Sequence, residues 1–173
     1  MQKLKFTLPN FNYTDYEWIY EDSVTILDRS NEFESQNLKF IEAGYNKDNT
    51  TYYRAFEVDK SVHDFCKTVF PKYSVGIMKQ PPGQTLPLHE DTYYKFATLN
   101  NIDPYSCCRV NIFLEDWKPG HYLEINQTPI TKWSKGDAIL INREEFHLSG
   151  NMGMEDKYTM QITGVKDAYL ART

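Results

Sequence analysis

The sequence predicts a mainly β protein of the sandwich or barrel class, best fitted by a jelly roll with a short N-terminal helical portion. Short segments with strand-type patterns recur about eight times, at the spacing of roughly 8–12 residues expected of such folds. Turn residues, mainly Gly, Pro, Asn and Asp, separate these segments. Aromatic residues make up 15% of the chain, with 13 Tyr among them, and they favour strands.

Length and composition narrow the class of protein. A chain of 173 residues predicts a single domain, 1–173, with a real hydrophobic core. The net charge of −5 argues against a general nucleic-acid binder. The longest aliphatic run, 138–141, is far too short to span a membrane. The N-terminus lacks the apolar core of a signal peptide, and three Cys cannot make a disulfide framework, so we expect a cytoplasmic protein.

The N-terminal third contains one helix with a clear pattern. Residues 1–57 are mixed and polar, with short strand-type pieces at 5–8, 23–27 and 51–53 and no defensible motif. Residues 59–70 carry an apolar stripe of helical period, with Asp59 or Ser61 able to cap the helix and a proline after its end. His63 lies off the stripe, so we expect it to face solvent. The stripe consists of Val58, Val62, Phe65, Cys66, Val69 and Phe70.

Strand patterns dominate after residue 71, and the motif-bearing core extends over about 72–165. In the segment 109–114, alternation places Arg109 and Asn111 on one face and the aliphatic residues on the other. Cys107 and Cys108 are adjacent, so in a strand they point to opposite faces and cannot chelate one metal together. The other predicted strands are 72–79, the segment that carries His89, 121–125, 128–133, 138–141 and 157–163.

Three residues form a candidate metal site. His89 and Asp91 are metal-capable side chains at i and i+2, which point to the same face of an extended segment while Glu90 faces away. His147 is the best candidate for a third ligand from elsewhere in the fold. Two His and one carboxylate form the facial triad of non-haem Fe(II) oxygenases. The alternative for His89 and Asp91 is a hydrogen-bonded surface pair, because His-x-Asp arises easily by chance.

The order of motifs between about residues 73 and 164 is more specific than any motif alone. The motifs are a Pro-Gly turn at 81–83 before His89-Glu90-Asp91, the strand 109–117, the segments 120–125 and 133–141, and Phe146-His147 followed by Lys157-Tyr158-Thr159. In this order they resemble the Fe(II)/2-oxoglutarate-dependent dioxygenases, whose core is a double-stranded β-helix of the jelly-roll kind. Within this family the chain resembles small phage-encoded prolyl-hydroxylase-like members, and its layout is also similar to that of aspartyl/asparaginyl hydroxylases.

The resemblance implies an enzyme that uses Fe(II), 2-oxoglutarate and O2, with ascorbate as a possible requirement in vitro. His89, Asp91 and His147 would hold the iron, and the products would include succinate, CO2 and a hydroxylated substrate. Lys157, ten residues after His147, would bind the far carboxylate of 2-oxoglutarate with the hydroxyl of Thr159. Many members carry Arg where Lys157 stands. Prolyl hydroxylases often have Gly where this chain has His121, which we expect to be structural or at the site mouth.

Several alternatives stay open. Arg109 and Asn111 are further candidates for cosubstrate contacts, although Arg109 could instead pair with Asp116 or Glu115. Tyr93 and Tyr94 could line the substrate cleft or simply pack. The same fold and metal would also suit demethylation, desaturation, a cupin-type oxygenation, or a jelly-roll metal-binding or interaction module without turnover.

The substrate and the setting are less defined. The substrate would be a small molecule or a peptide, with peptidyl proline implied by the resemblance alone. No membrane partner is expected, the oligomeric state is open, and a phage-encoded protein would act in the host cytoplasm.

Overall fold

The computed structural model describes residues 2–25 and 31–170. Its two short 3-10 helices are Tyr13–Asp15 and Pro104–Ser106. In these ranges the strands are β1 (Gln2–Lys5), β2 (Ile19–Asp22), β3 (Thr51–Ala55), β4 (Tyr73–Gln80), β5 (Thr85–His89), β6 (Cys107–Phe113), β7 (His121–Ile125), β8 (Thr128–Ile130), β9 (Asp137–Asn142), β10 (His147–Asn151) and β11 (Lys157–Val165). The α-helices are α1 (Asn31–Glu42), α2 (Lys60–Val69), α3 (Tyr94–Asn100) and α4 (Lys166–Leu170).

The strands form two antiparallel sheets. The larger sheet has the order β1-β9-β6-β11-β4-β3-β2, and the smaller has the order β5-β10-β7-β8. Strands distant in sequence are neighbours in both sheets, as the pairing of β11 with β4 and β6 shows. This is the mainly β, jelly-roll architecture that the sequence predicted.

The two faces of the larger sheet have different roles. Val110, Ile112 and Leu114 join the buried cluster on the outer face, which α2 covers. Arg109 and Asn111 alternate to the inner face and line a cavity between the sheets. The period-2 pattern of β6 therefore decides which side chains can take part in a site.

Helix α2 lies where the apolar stripe predicted it. Val62, Cys66 and Val69 are buried against the sheet. Asp59 is the N-cap residue, as predicted, but its side chain makes no capping hydrogen bond and instead accepts one from the Tyr16 hydroxyl at 2.7 Å. His63 is only partly exposed, and its Nδ1 lies 3.0 Å from the Tyr73 hydroxyl.

Other elements differ from the sequence prediction. Helices α1, α3 and α4 and strand β10 were not predicted, β1 precedes the predicted 5–8 strand, and β8 is shorter than 128–133. The apolar side chains of helix α1 do not share one buried face: Leu38 and Ile41 are 63% and 55% exposed, whereas Phe40 is buried. The helix therefore has no apolar stripe that could predict it. Of the predicted 23–27 strand, 26 and 27 lie outside the described residues, and Ser23–Thr25 form a turn.

The positions of Cys107 and Cys108 agree with the predicted strand geometry. Cys107 and Cys108 belong to different buried clusters, so they do point to opposite faces of β6. Both are free thiols, as is Cys66. Among the described helices, none has the length and apolarity needed to cross a bilayer.

Gly164 on β11 lies against Phe70, the residue that follows α2, and it gives a test of the packing. A Cβ at this position would lie 2.3 Å from Cγ of Phe70. We expect Gly164→Ala to lower the free energy of unfolding by about 1–3 kcal/mol, because the buried ring has no room to move. Gly76→Ala on β4 is the control, since its Cβ would meet the Phe56 ring at an ordinary 3.6 Å. Equal denaturation midpoints for both variants would contradict this packing.

Candidate metal centre

A cavity of about 600 Å³ lies between the two sheets. Inner-face residues of β4, β6 and β11 line one side, and residues of β5, β7 and β10 line the other. Phe40 of α1 and Phe96 of α3 contribute to its wall. The volume is in the range of small-molecule sites. The two unpredicted helices therefore help to enclose the cavity.

The structure brings the three candidate metal ligands together in this cavity. His89 ends β5 and His147 begins β10, and the two residues are paired across the ladder. Asp91 follows β5 by two residues. One ligand atom from each of the three residues lies within 4.8 Å of the others. Because His89 and Asp91 line the cavity, the alternative that they form a pair on the surface is wrong. Their role as metal ligands stays a prediction.

In both imidazoles, Nε2 is the nitrogen that is available to a metal ion. His89 Nδ1 lies 2.6 Å from the Pro87 carbonyl oxygen, and His147 Nδ1 lies 2.9 Å from that of Glu145. A carbonyl only accepts, so each Nδ1 carries the proton and each Nε2 keeps its lone pair for a ligand. Burial, and then the neighbouring His147, lower the pKa of His89 to about 3. His89 is therefore neutral at pH 7, as a metal ligand must be.

Asp91 is held ionised by its surroundings. Burial by itself would raise its pKa, but Arg109 and then the two histidines lower it to about 2. Arg109 Nη1 lies 2.9 Å from Asp91 Oδ2 as an ion pair, and among the described residues this oxygen makes no contact with the geometry of a hydrogen bond. The group therefore offers two imidazole nitrogens and a carboxylate oxygen. This donor set fits a divalent transition metal such as Fe(II).

The partner of Arg109 corrects the sequence interpretation. Neither Asp116 nor Glu115 pairs with it: Asp116 accepts from the backbone N–H of Lys135, and Glu115 pairs with Lys118. The Arg109 guanidinium forms its ion pair with Asp91, so Arg109 lies next to the candidate metal ligands. Its predicted cosubstrate contact stays a prediction.

Gln36 and Arg143, which no sequence pattern indicated, bind the backbone of the segment that carries Asp91. The Gln36 side chain of α1 accepts from the Glu90 backbone N–H at 3.0 Å and donates to the Glu90 carbonyl at 3.4 Å. Arg143 Nη1 donates to the carbonyls of Asp91 and Thr92 at 3.1 and 2.7 Å. These contacts join segments more than 50 residues apart in sequence, so no local pattern predicts them.

Lys157 lies deep in the same cavity and is 3% exposed. Its Nζ donates to the carbonyls of Tyr122 at 2.7 Å and Gly150 at 3.3 Å, and to the hydroxyl of Ser149. No carboxylate pairs with it among the described residues, and burial lowers its pKa to about 7. An ammonium without a counter-charge in a low-dielectric site is costly, so it is available to an anion.

The remaining candidates separate into cavity and structural residues. Thr159, two residues after Lys157 on β11, lines the cavity with a buried hydroxyl that has no hydrogen-bond partner. Asn111, Tyr93 and Tyr94 also line it. His121 does not, and its Nε2 contacts the Glu155 carbonyl at 3.1 Å. Of the two roles expected for His121, the structural one fits.

Comparisons with known proteins concern the fold. No protein-family model matches the sequence, and no curated protein matches it. A predicted oxalate decarboxylase from Thermotoga maritima is similar with 16% identity and a TM-score of 0.44, over 66% of this chain and 81% of that chain. KdgF from Halomonas sp. is similar with 11% identity and a TM-score of 0.44, over 91% and 93%. The Schizosaccharomyces pombe Cnp3 cupin domain has 12% identity and a TM-score of 0.44, over 74% and 72%.

The fold and the site define a class. The chain is a mainly β protein with a jelly-roll core. It carries a partly buried His-Asp-His group compatible with a metal ion.

Proposed function

We propose that the protein is an Fe(II)- and 2-oxoglutarate-dependent dioxygenase that hydroxylates an unactivated C–H bond of a small molecule or peptide. One observation carries the proposal. The cavity that holds His89, Asp91 and His147 also holds the buried ammonium of Lys157 beside the hydroxyl of Thr159. Within 2–25 and 31–170, no described carboxylate pairs with this ammonium and no group hydrogen-bonds to this hydroxyl. Such a pairing of a metal group with an anion site suits a dicarboxylate cosubstrate.

Each residue has a defined task in this proposal. The Lys157 ammonium and the Thr159 hydroxyl bind the far carboxylate of 2-oxoglutarate by charge-assisted hydrogen bonds. The carboxylate replaces the long 3.3 Å contact to the Gly150 carbonyl. His89, Asp91 and His147 hold Fe(II), which when bound supplies the coordination sites for 2-oxoglutarate and O2. Arg109 keeps Asp91 ionised and oriented.

A second candidate is a metal-binding protein or cupin-type oxygenase that does not use 2-oxoglutarate. The contacts of Lys157 favour it, because oxygens of Tyr122, Ser149 and Gly150 already accept from its three N–H groups. In that case Lys157 would only connect β11 to β7 and β10. The two candidates differ in whether 2-oxoglutarate is bound and consumed.

Consumption of 2-oxoglutarate tests the proposal. The iron-loaded protein should slowly convert 2-oxoglutarate to succinate without its substrate, because oxidation of the cosubstrate can proceed uncoupled. Under anaerobic conditions, 2-oxoglutarate should also produce a visible charge-transfer band with the Fe(II)-loaded protein. Succinate is measured by mass spectrometry against a sample without iron. If the band is missing and succinate does not exceed background, the second candidate is favoured.

A further inference from the structure

The cavity wall contains more charged and polar side chains than the proposed cosubstrate needs. Among the described residues, five buried side-chain atoms that line it make no hydrogen bond, although three of them lie in the ion pairs Arg109–Asp91 and Arg54–Glu21. Buried polar groups in proteins are nearly always hydrogen-bonded, so a cluster of exceptions indicates a polar ligand. The atoms are Asp91 Oδ2, Arg109 Nε, Thr159 Oγ1, Glu21 Oε2 and Arg54 Nε.

Two of these atoms lie away from the metal group. Asp91, Arg109 and Thr159 belong to the metal and cosubstrate region already described. Glu21 and Arg54 lie on β2 and β3, toward the edge of the larger sheet. Ladder pairing aligns Arg54 with Met78 of β4, and Met78 with Thr159 of β11. Since strands are about 4.8 Å apart, the Cα atoms of Arg54 and Thr159 are separated by roughly 10 Å.

Glu21 and Arg54 form a preorganised pair of opposite charges. Arg54 Nε lies 3.0 Å from Glu21 Oε2, and the side chains remain 23% and 18% exposed. The guanidinium also lies over the Tyr52 ring, 5.5 Å from its centroid. The pair is neutral as a whole, so a single ionic group would satisfy one member and repel the other. A zwitterion offers each member its counter-charge.

The surface next to the pair is apolar. Tyr52, Met78 and Leu86 form a buried cluster that also lines the cavity. Leu86 and His89 both belong to β5, so this cluster lies beside the metal group. A ligand with its charged end on the pair would place an apolar portion toward the metal group.

We propose that this cavity binds a free α-amino acid with an apolar side chain, its carboxylate on Arg54 and its ammonium on Glu21. The apolar side chain lies along Tyr52, Met78 and Leu86 and directs its C–H bonds to the metal group. As an assignment of the hydroxylation substrate, this inference rests on the proposed function.

The test uses free L-leucine and L-proline as probes and their N-acetyl amides as neutral, peptide-like analogues. Binding to the purified full-length protein is measured by isothermal titration calorimetry, with and without Fe(II) and 2-oxoglutarate under anaerobic conditions. We expect at least one free amino acid to bind about tenfold or more tightly than its neutral analogue, because the analogue offers neither a carboxylate to Arg54 nor an ammonium to Glu21. The same free amino acid should stimulate succinate formation above the uncoupled rate.

Variants separate recognition from folding. Arg54→Gln and Glu21→Gln should each weaken amino-acid binding about tenfold or more, by loss of a charge-assisted hydrogen bond. Arg54→Lys keeps the cation and should retain part of the affinity. Lys79→Gln is the matched control, because Lys79 follows Met78 on β4 and its ammonium lies between the Trp18 and Tyr53 rings, outside the cavity. It should bind the amino acid like the parent.

Failure of the amino-acid site can be distinguished from failure of the proposed function. Absence of uncoupled succinate formation contradicts the proposed function, and the binding experiment without metal or cosubstrate still decides the amino-acid site. If neither amino acid binds, or if the N-acetyl amides bind equally well, the amino-acid site is wrong even when succinate forms. If Arg54→Gln and Glu21→Gln lower only the melting temperature and leave the preference for free amino acids unchanged, the pair merely joins β2 to β3, and the assignment is likewise overturned.

Discussion

Replacing His89, Asp91 or His147 with alanine should lower the affinity for Fe(II) by about tenfold or more in each case, since loss of even an outer partner of a metal ligand costs 10–100-fold. Each of these residues supplies one of the three donors gathered within 4.8 Å. Asp91→Ala also leaves Arg109 without its partner, so Asp91→Asn is the gentler variant of that residue. Anaerobic titration with Fe(II) measures the affinity directly, and succinate formation should fall with it.

His121 provides the control for the metal centre. It is a buried histidine like the proposed ligands, but it lies outside the cavity, against the Glu155 carbonyl. His121→Gln keeps a side-chain N–H for that contact and should bind Fe(II) like the parent protein. If His89→Ala retains full iron affinity while His121→Ala loses it, the assignment of the ligands is wrong.

Lys157→Ala should raise the KM for 2-oxoglutarate by roughly 10- to 200-fold, the equivalent of the 1.5–3 kcal/mol that a hydrogen bond to a charged group contributes. Without the ammonium, the far carboxylate of the cosubstrate would be buried with no counter-charge. Iron binding should change little, because Lys157 contacts no metal ligand. Steady-state kinetics and anaerobic titration measure the two quantities separately.

The same lysine predicts a pH dependence. Its pKa in the free protein is lowered by burial to about 7, and only the protonated form can pair with a carboxylate. Binding therefore takes up a proton above pH 7, and the 2-oxoglutarate affinity should fall by up to about tenfold per pH unit there. Below the pKa the ammonium is already formed and this dependence should vanish. Lys157→Arg stays charged throughout, so it should retain activity and lose the alkaline decline.

Arg109→Ala tests the competing anchor. Arg109 pairs with Asp91, so its removal should alter iron affinity more than the KM for 2-oxoglutarate. Suppose instead that Arg109→Ala abolishes 2-oxoglutarate binding while Lys157→Ala leaves the KM unchanged. Arg109 would then be the cosubstrate anchor, and Lys157 would have the structural role of the second candidate function.

Local periodicity predicted much of the fold and most of the candidate site. Alternation in β6 placed Arg109 and Asn111 on the face that lines the cavity, and the helical stripe found α2. Alternation in β11 likewise placed Lys157 and Thr159 on one inner face. These predictions succeed because a residue's face depends only on its position within its own strand or helix.

Contacts between residues that are distant in sequence could not be predicted from such patterns. Helix α3 begins after Tyr93, which has a φ of +53°, in a segment whose composition predicted a loop. Helix α1 is connected to the site by Gln36 and has an outer face with exposed aliphatic residues. Both helices depend on packing against the sheets, which overrides local preference.

By itself the sequence determined the jelly-roll class, the position of α2, the inward faces of β6 and β11, and the identity of the candidate ligands His89, Asp91 and His147. Only the tertiary structure decided that Arg109 pairs with Asp91, that none of the described carboxylates pairs with Lys157, and that Glu21 and Arg54 share the cavity. The physical reason is that side-chain direction follows local backbone geometry, whereas ion pairing and burial depend on the register of strands distant in sequence.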